Sequence, residues 1–272
     1  MQKKLINFFI LQFIIILPNL SNSNNYNFDI LGCFCEGGMI YGIVNNGEQV
    51  KINDLKMKLS NDNYFVYAFG RKHDEIIKIK IGEEEKTFKV KNKKYKIEKI
   101  NNLPTRKVEP SQKDMKKILK ESDELKKVKN LDINNKLFSD QFLIPVEGRI
   151  SGRFGSQRIL NGKAKRPHYG LDIAAKKGTK IYAPTDGKIK KVFDNMFFTG
   201  NTVIIDHGLG LISIFAHLEK IFISENQLVS KGDLVGSVGM TGRATGPHLH
   251  WGIYLKNVPV DPEIFIDLDV LE

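Results

Sequence analysis

Short β-type runs, each closed by a turn signal, dominate this sequence and limit what it can fold into. In the front half they fall at residues 39–44, 49–52, 64–69, 76–81, 87–90 and 95–100. Asn46-Gly47 and Gly82-Glu83 lie between runs, where hairpin turns belong. From Gln141 onward the pattern returns with more glycine, at 188–193, 202–206, 211–217, 234–238 and 250–255. Between the halves, Pro104 and Pro110 punctuate the chain, and Ser111 and Asp114 have the spacing of a capping box. Met115, Ile118, Leu119, Leu125 and Val128 then recur at helical spacing, which predicts an amphipathic helix over 111–129. The repeat is too short for a coiled-coil seam. The expected fold is therefore mainly β. An antiparallel β domain at 140–264 follows a small β module at 30–105 and a helical linker at 106–139.

The chain of 272 residues has room for about two domains. Its 41% hydrophobic and 27% charged residues are those of an ordinary globular protein, so disorder is not the default reading. The formal net charge is +11, and the excess is uneven. Residues 24–139 carry 24 Lys/Arg against 17 Asp/Glu, while 140–272 carry 16 against 14. A basic front half suits an anionic wall polymer or membrane surface, or is simply a solvated face. Nucleic acid is not expected, because no aromatic-plus-basic binding motif is present.

Lys3 and Lys4 precede an apolar stretch at 5–17 that ends at Pro18, and Ser21-Asn22-Ser23 supplies small residues after it. This is the pattern of a signal peptide over 1–23, with the mature chain starting near Asn24. The apolar stretch is short for a membrane span. An exported protein of the periplasm or cell envelope is expected. Leu31-Gly32-Cys33 has the composition of a lipoprotein cleavage box but lies too far beyond the apolar stretch. Cys33 and Cys35 are too few ligands for a metal site. On one extended strand they would be poorly placed for a disulfide, so free or buried thiols are expected.

Five of the six histidines lie in the back half, at 168, 207, 217, 248 and 250. In an extended segment, residues four apart face one way, so His168 and Asp172 suit a pair of metal ligands or a structural histidine near a turn. His248 and His250, two apart on a strand, put both rings on one side, for metal binding or catalysis. Alternation along 211–217 places Ser213, Phe215 and His217 on one face. His207, before a glycine turn, reads as structural, and His73 stands alone among charged residues.

Taken together, these segments resemble a known family. Residues 145–262 are similar to the catalytic domain of lysostaphin-type, LytM-like zinc endopeptidases. The matching motifs are His168-Tyr169-Gly170-Leu171-Asp172, Ala183-Pro184-Thr185-Asp186-Gly187, Phe215-Ala216-His217-Leu218, Lys231-Gly232-Asp233 and Gly239-Met240-Thr241-Gly242, followed by Gly246-Pro247-His248-Leu249-His250-Trp251. The resemblance implies a peptidoglycan hydrolase in which His168, Asp172 and His250 hold Zn2+, with His217 and His248 as catalytic residues beside them. It implies an enzyme expected to act as a monomer on wall peptides. The segments 148–155 and 156–168 resemble a subgroup from two-membraned bacteria that carries a small β module in front. Phe215 stands where many members have Tyr. Some members lack ligands and serve as wall-binding or amidase-activating proteins, but here all five positions are filled.

Overall fold

The computed structural model describes residues 29–130 and 134–266. The proposed signal peptide lies outside the described residues. The fold is mainly β, as expected. The front strands are β1 (Ile30–Gly32), β2 (Met39–Ile43), β3 (Val50–Ile52), β4 (Leu55–Lys56), β5 (Tyr64–Ala68), β6 (Ile76–Ile81), β7 (Glu84–Lys89) and β8 (Ile97–Ile100). They make an antiparallel sheet β1-β2-β5 and a second one, β4-β3-β6-β7. In β6, Ile77, Ile79 and Ile81 are buried and Lys78 between them is exposed, which is the two-residue period of a half-buried strand. These isoleucines share a core with Ile40, Phe65 and Phe69, where each fully buried side chain contributes about 1.5–3 kcal/mol.

One face of β2 and β5 does not belong to that core. Met39, Tyr41 and Ala68 are buried with Phe138, Phe142 and the interior of the large sheet. Strand β8 leaves the front sheets altogether and runs parallel to β10 (Gln157–Leu160), with Glu98 beside Arg158. Among the described strand pairs this is the one parallel ladder joining two named strands.

The connecting segment forms α1 (Thr105–Val108) and α2 (Gln112–Asn130). The capping box is present: Asp114 N donates to Ser111 Oγ at 3.2 Å, and Ser111 N to Asp114 Oδ2 at 3.3 Å. Only the second half of α2 buries its apolar stripe. Leu125 and Val128 pack on Phe193, Met196, Ile204, Ile212 and Ile214, whereas Met115 and Leu119 are exposed. Lys129 lies 3.3 Å from the Tyr254 ring centroid, a cation–π contact that holds the helix end to the sheet.

The back half contains β9 (Arg149–Gly152), β10, β11 (Lys163–Ala164), β12 (Leu171–Ala174), β13 (Lys180–Tyr182), β14 (Gly187–Met196) and β15 (Gly200–Asp206). They are followed by β16 (Leu211–Ile221), β17 (Leu228–Val229), β18 (Leu234–Val238), β19 (His248–Leu255) and β20 (Val258–Val260). Most form one antiparallel sheet in the order β17-β14-β15-β16-β19-β12-β9, with β13, β18 and β20 attached at its sides. Leu171, Ile173, Phe215, Leu249, Trp251 and Ile253 are fully buried behind it.

The two cysteines depart from expectation. Cys33 and Cys35 form a disulfide. They are not on one extended strand: β1 ends at Gly32, whose φ of +112° turns the chain. The bend brings their Cα atoms to 5.3 Å, within disulfide reach.

Candidate active site

The site grows out of the pairing of β12 with β19, in which Asp172 lies directly opposite His250. On β19, Leu249 and Trp251 point into the core, so His248 and His250 share the opposite face. His168 precedes β12 and lies outside any strand, so its approach to Asp172 does not come from strand alternation. It is set instead by a loop pinned on both sides. His168 N donates to Ser156 O at 2.9 Å, and Gly155 N donates to His168 O at 2.7 Å. The bend also requires Gly170, because a Cβ there would lie 2.6 Å from His250 Cε1 and 2.7 Å from Trp251 O.

Three donor atoms converge. His168 Nε2 is 3.0 Å from His250 Nδ1, His250 Nδ1 is 2.7 Å from Asp172 Oδ1, and His168 Nε2 is 3.0 Å from Asp172 Oδ1. Burial pushes the Asp172 carboxyl up, but His168 and His250 beside it outweigh this and hold it well below the usual carboxylate range. His250 is pushed down to about 4 by burial, against the pull of Asp172. A buried carboxylate beside one nitrogen from each of two imidazoles is a ready-made set of ligands for a divalent cation.

The tautomers support this fit. A carbonyl only accepts, so a ring nitrogen bonded to one must carry the proton. His168 Nδ1 donates to Arg153 O at 3.1 Å, His217 Nδ1 to Thr241 O at 2.7 Å, and His248 Nδ1 to Gly246 O at 2.8 Å. In each ring Nε2 is left with its lone pair free. For His168 that lone pair completes the donor triangle, and for His248 it lies 3.9 Å from Asp172 Oδ1. Backbone carbonyls that fix ring tautomers are the usual outer support of metal-binding histidines.

His217 arrives by a route that strand alternation does not give. Phe215 pairs with Trp251 and faces the core, and strict alternation would send His217 the same way. His217 instead has φ +64°, a left-handed conformation that breaks the alternation. Its ring centroid lies 4.7 Å from that of His248 and 6.1 Å from that of His250. The expectation of one face for Ser213, Phe215 and His217 is therefore corrected: the left-handed residue turns the ring to the site side. Burial, followed by the neighbouring His248 and His250, pushes its pKa down to about 3.

The structure thus gathers His168, Asp172, His217, His248 and His250. His207 lies elsewhere, fully buried: it donates from Nδ1 to Asp186 O at 2.8 Å and its Nε2 is 2.8 Å from Ser213 Oγ. Arg158, whose guanidinium donates to Asp172 Oδ2, was not singled out in the sequence, since nothing in the sequence points to the β8–β10 ladder that carries it.

Residues 166–262 match the model of peptidase family M23. Over this stretch, about a third of the chain, the sequence is similar to that family. A peptidoglycan DD-endopeptidase of Vibrio cholerae, ShyA, is 37% identical to it over 135 residues, covering 49% of this chain and 31% of that protein. A DD-carboxypeptidase/endopeptidase of Neisseria meningitidis, Mpg, is 39% identical over 117 residues, covering 43% and 27%. The chain thus spans under a third of the length of these curated relatives. A crystal structure of an M23 peptidase from Pseudomonas aeruginosa superposes with TM-score 0.65 at 29% identity, covering 85% of this chain and 94% of that one. That superposition takes in most of the chain and so extends beyond residues 166–262.

Proposed function

We propose that this protein is a zinc metalloendopeptidase that hydrolyses peptide bonds in the stem or cross-link peptides of bacterial peptidoglycan. The observation that carries the reading is the donor triangle of His168, Asp172 and His250, with His217 and His248 standing beside it. Zinc, when bound, would polarise the scissile carbonyl and make water nucleophilic near neutral pH. Around it, this chain's own groups hold and move protons. His217 and His248, each anchored through Nδ1–H to a carbonyl, offer Nε2 to accept a proton from the attacking water. Once protonated, the same nitrogen can donate to the developing oxyanion or the leaving amine.

Relatives named as peptidoglycan endopeptidases support wall peptides as the substrate class. A substrate in the wall fits an exported protein of the cell envelope, in keeping with the signal-like N-terminus. The basic front half suits contact with anionic wall or membrane surface, and the protein is proposed to work as a monomer. A non-catalytic wall-binding role is disfavoured because none of the five positions is replaced. The test is digestion of purified peptidoglycan with and without chelator, reading released fragments by mass. Zinc-dependent release of cross-link or stem fragments supports the reading, and bound zinc without release supports the non-catalytic role.

A further inference from the structure

We infer that Arg158 is a positioning residue for the proposed metal ligand Asp172, and that Glu98 of the front half holds it in that role. The two oxygens of Asp172 have different partners. Oδ1 faces the donor triangle, 2.7 Å from His250 Nδ1 and 3.0 Å from His168 Nε2. Oδ2 turns away and accepts from Arg158 Nη2. A guanidinium on one oxygen leaves the other free for a cation in the triangle, so Arg158 would fix the orientation in which the carboxylate is offered.

The space for this contact is built into the fold. Gly152 of β9 pairs with Asp172, and a Cβ at 152 would lie 2.8 Å from Asp172 Oδ2 and 3.0 Å from Arg158 Nη2. Any side chain there would press between the two charges. On its other side, Arg158 Nε lies 3.4 Å from Glu98 Oε2, and the parallel β8–β10 register sets these two residues side by side. Both side chains are largely shielded from solvent, 21% and 24% exposed, so the pair is less screened than a surface one. A chain of three charges thus runs from the front half into the metal site.

This inference rests on metal binding by His168, Asp172 and His250, and the experiment separates the two. Zinc affinity is measured by chelator competition on the full-length protein for wild type, Arg158→Gln, Arg158→Lys and Glu98→Gln. The cobalt-substituted visible spectrum and the melting temperature of the metal-free form accompany it. Arg158→Gln is expected to bind zinc about 10–100-fold more weakly. Its cobalt absorption should also be fainter, as the freed oxygen raises the coordination number. Arg158→Lys should recover part of both, and Glu98→Gln should lose less in the same direction. If wild type binds zinc and Arg158→Gln binds it equally tightly with an unchanged cobalt spectrum, Arg158 has only a structural role and the inference fails alone. A wild type that binds no zinc overturns both readings. Should Arg158→Gln fail to fold, Glu98→Gln decides: weaker binding with an altered cobalt spectrum supports the inference, and wild-type values overturn it.

Discussion

The rings of His217 and His248 stand with their centroids 4.7 Å apart, each with Nδ1–H tied to a backbone carbonyl. They come from different strands and face the same small volume. His217→Ala and His248→Ala are each expected to retain zinc while losing about 10²–10⁴-fold in turnover. Because both would serve one reacting centre in the proposed mechanism, the double variant should fall short of the product of the single losses. Zinc content and single-turnover rates on purified wall check this, and a wild-type rate in either variant would remove that residue from the mechanism.

The backbone at His217 carries its own prediction. Its φ of +64° is costly for any residue with a Cβ. His217→Gly and His217→Ala both delete the ring, yet the glycine variant should be the more stable by about 1 kcal/mol. Urea melts of the two proteins measure the difference. Equal stability would mean that this backbone conformation relaxes once the ring is gone.

Removing the metal should loosen the fold. Without a cation, His168, Asp172 and His250 leave a buried carboxylate beside two imidazoles with no divalent charge to hold them. Zinc at 1,000 times its dissociation constant would stabilise the folded state by about 4 kcal/mol. A chelator should lower the melting temperature of wild type and change that of His250→Ala much less, as thermal melts with and without chelator would show.

His207 predicts a pH dependence separate from catalysis. Burial pushes it down to about 4, below its ordinary 6.5. The network around it is complete when the ring is neutral: Trp251 Nε1 donates to Ser213 Oγ, Ser213 faces His207 Nε2, and His207 Nδ1 donates to Asp186 O. The unfolded chain takes up the proton first, so this stability is full above pH 6.5 and is lost as the pH falls toward 4. The loss is on the order of 3 kcal/mol. In the metal-free protein His217 and His250, also depressed by burial, act in the same direction. His207→Gln should flatten the stability–pH curve in this window, and an unchanged slope would assign it to other groups.

The front module and the large sheet share buried surface, which bears on any attempt to separate them. Met39, Tyr41 and Ala68 lie in the same core as Phe138 and Phe142, and β8 completes a ladder with β10. A fragment covering 137–272 would expose that face and lose Glu98. It is expected to melt lower and aggregate more than 24–272, and dye-binding melts of both would test this. If the fragment proves equally stable and soluble, the shared core contributes little.

Much of the strand layout was legible because residues such as Ile77, Ile79 and Ile81 alternate cleanly with exposed neighbours. Short strands such as β11 and β13 were not, since two or three residues show no period. The helix was placed by its capping box, but the stripe overstated its buried face, because Met115 and Leu119 have no sheet opposite them. At the site, the residue types pointed to the chemistry, whereas the close approach at Gly170 is visible only in the structure. The left-handed turn at His217, the carbonyls of Arg153, Thr241 and Gly246, and the contact of Arg158 with Asp172 are backbone or long-range relationships that one-dimensional spacing does not carry.

The pairing of β12 with β19 also governs when the site can exist. His168 and His250 are 82 positions apart and meet only through that ladder. Contacts this distant carry a loop-closure cost that pairing of the intervening strands reduces. During synthesis, a chain that ends before β19 has His168, Asp172 and His217 but lacks both His248 and His250, so it cannot close the triangle. Under the proposed function, a polypeptide cut or stalled before residue 250 would therefore lack a metal ligand and be inert, and activity would arrive only with a finished sheet. If the proposed wall hydrolysis holds, completion of the fold is then a safeguard for the cell that makes the protein.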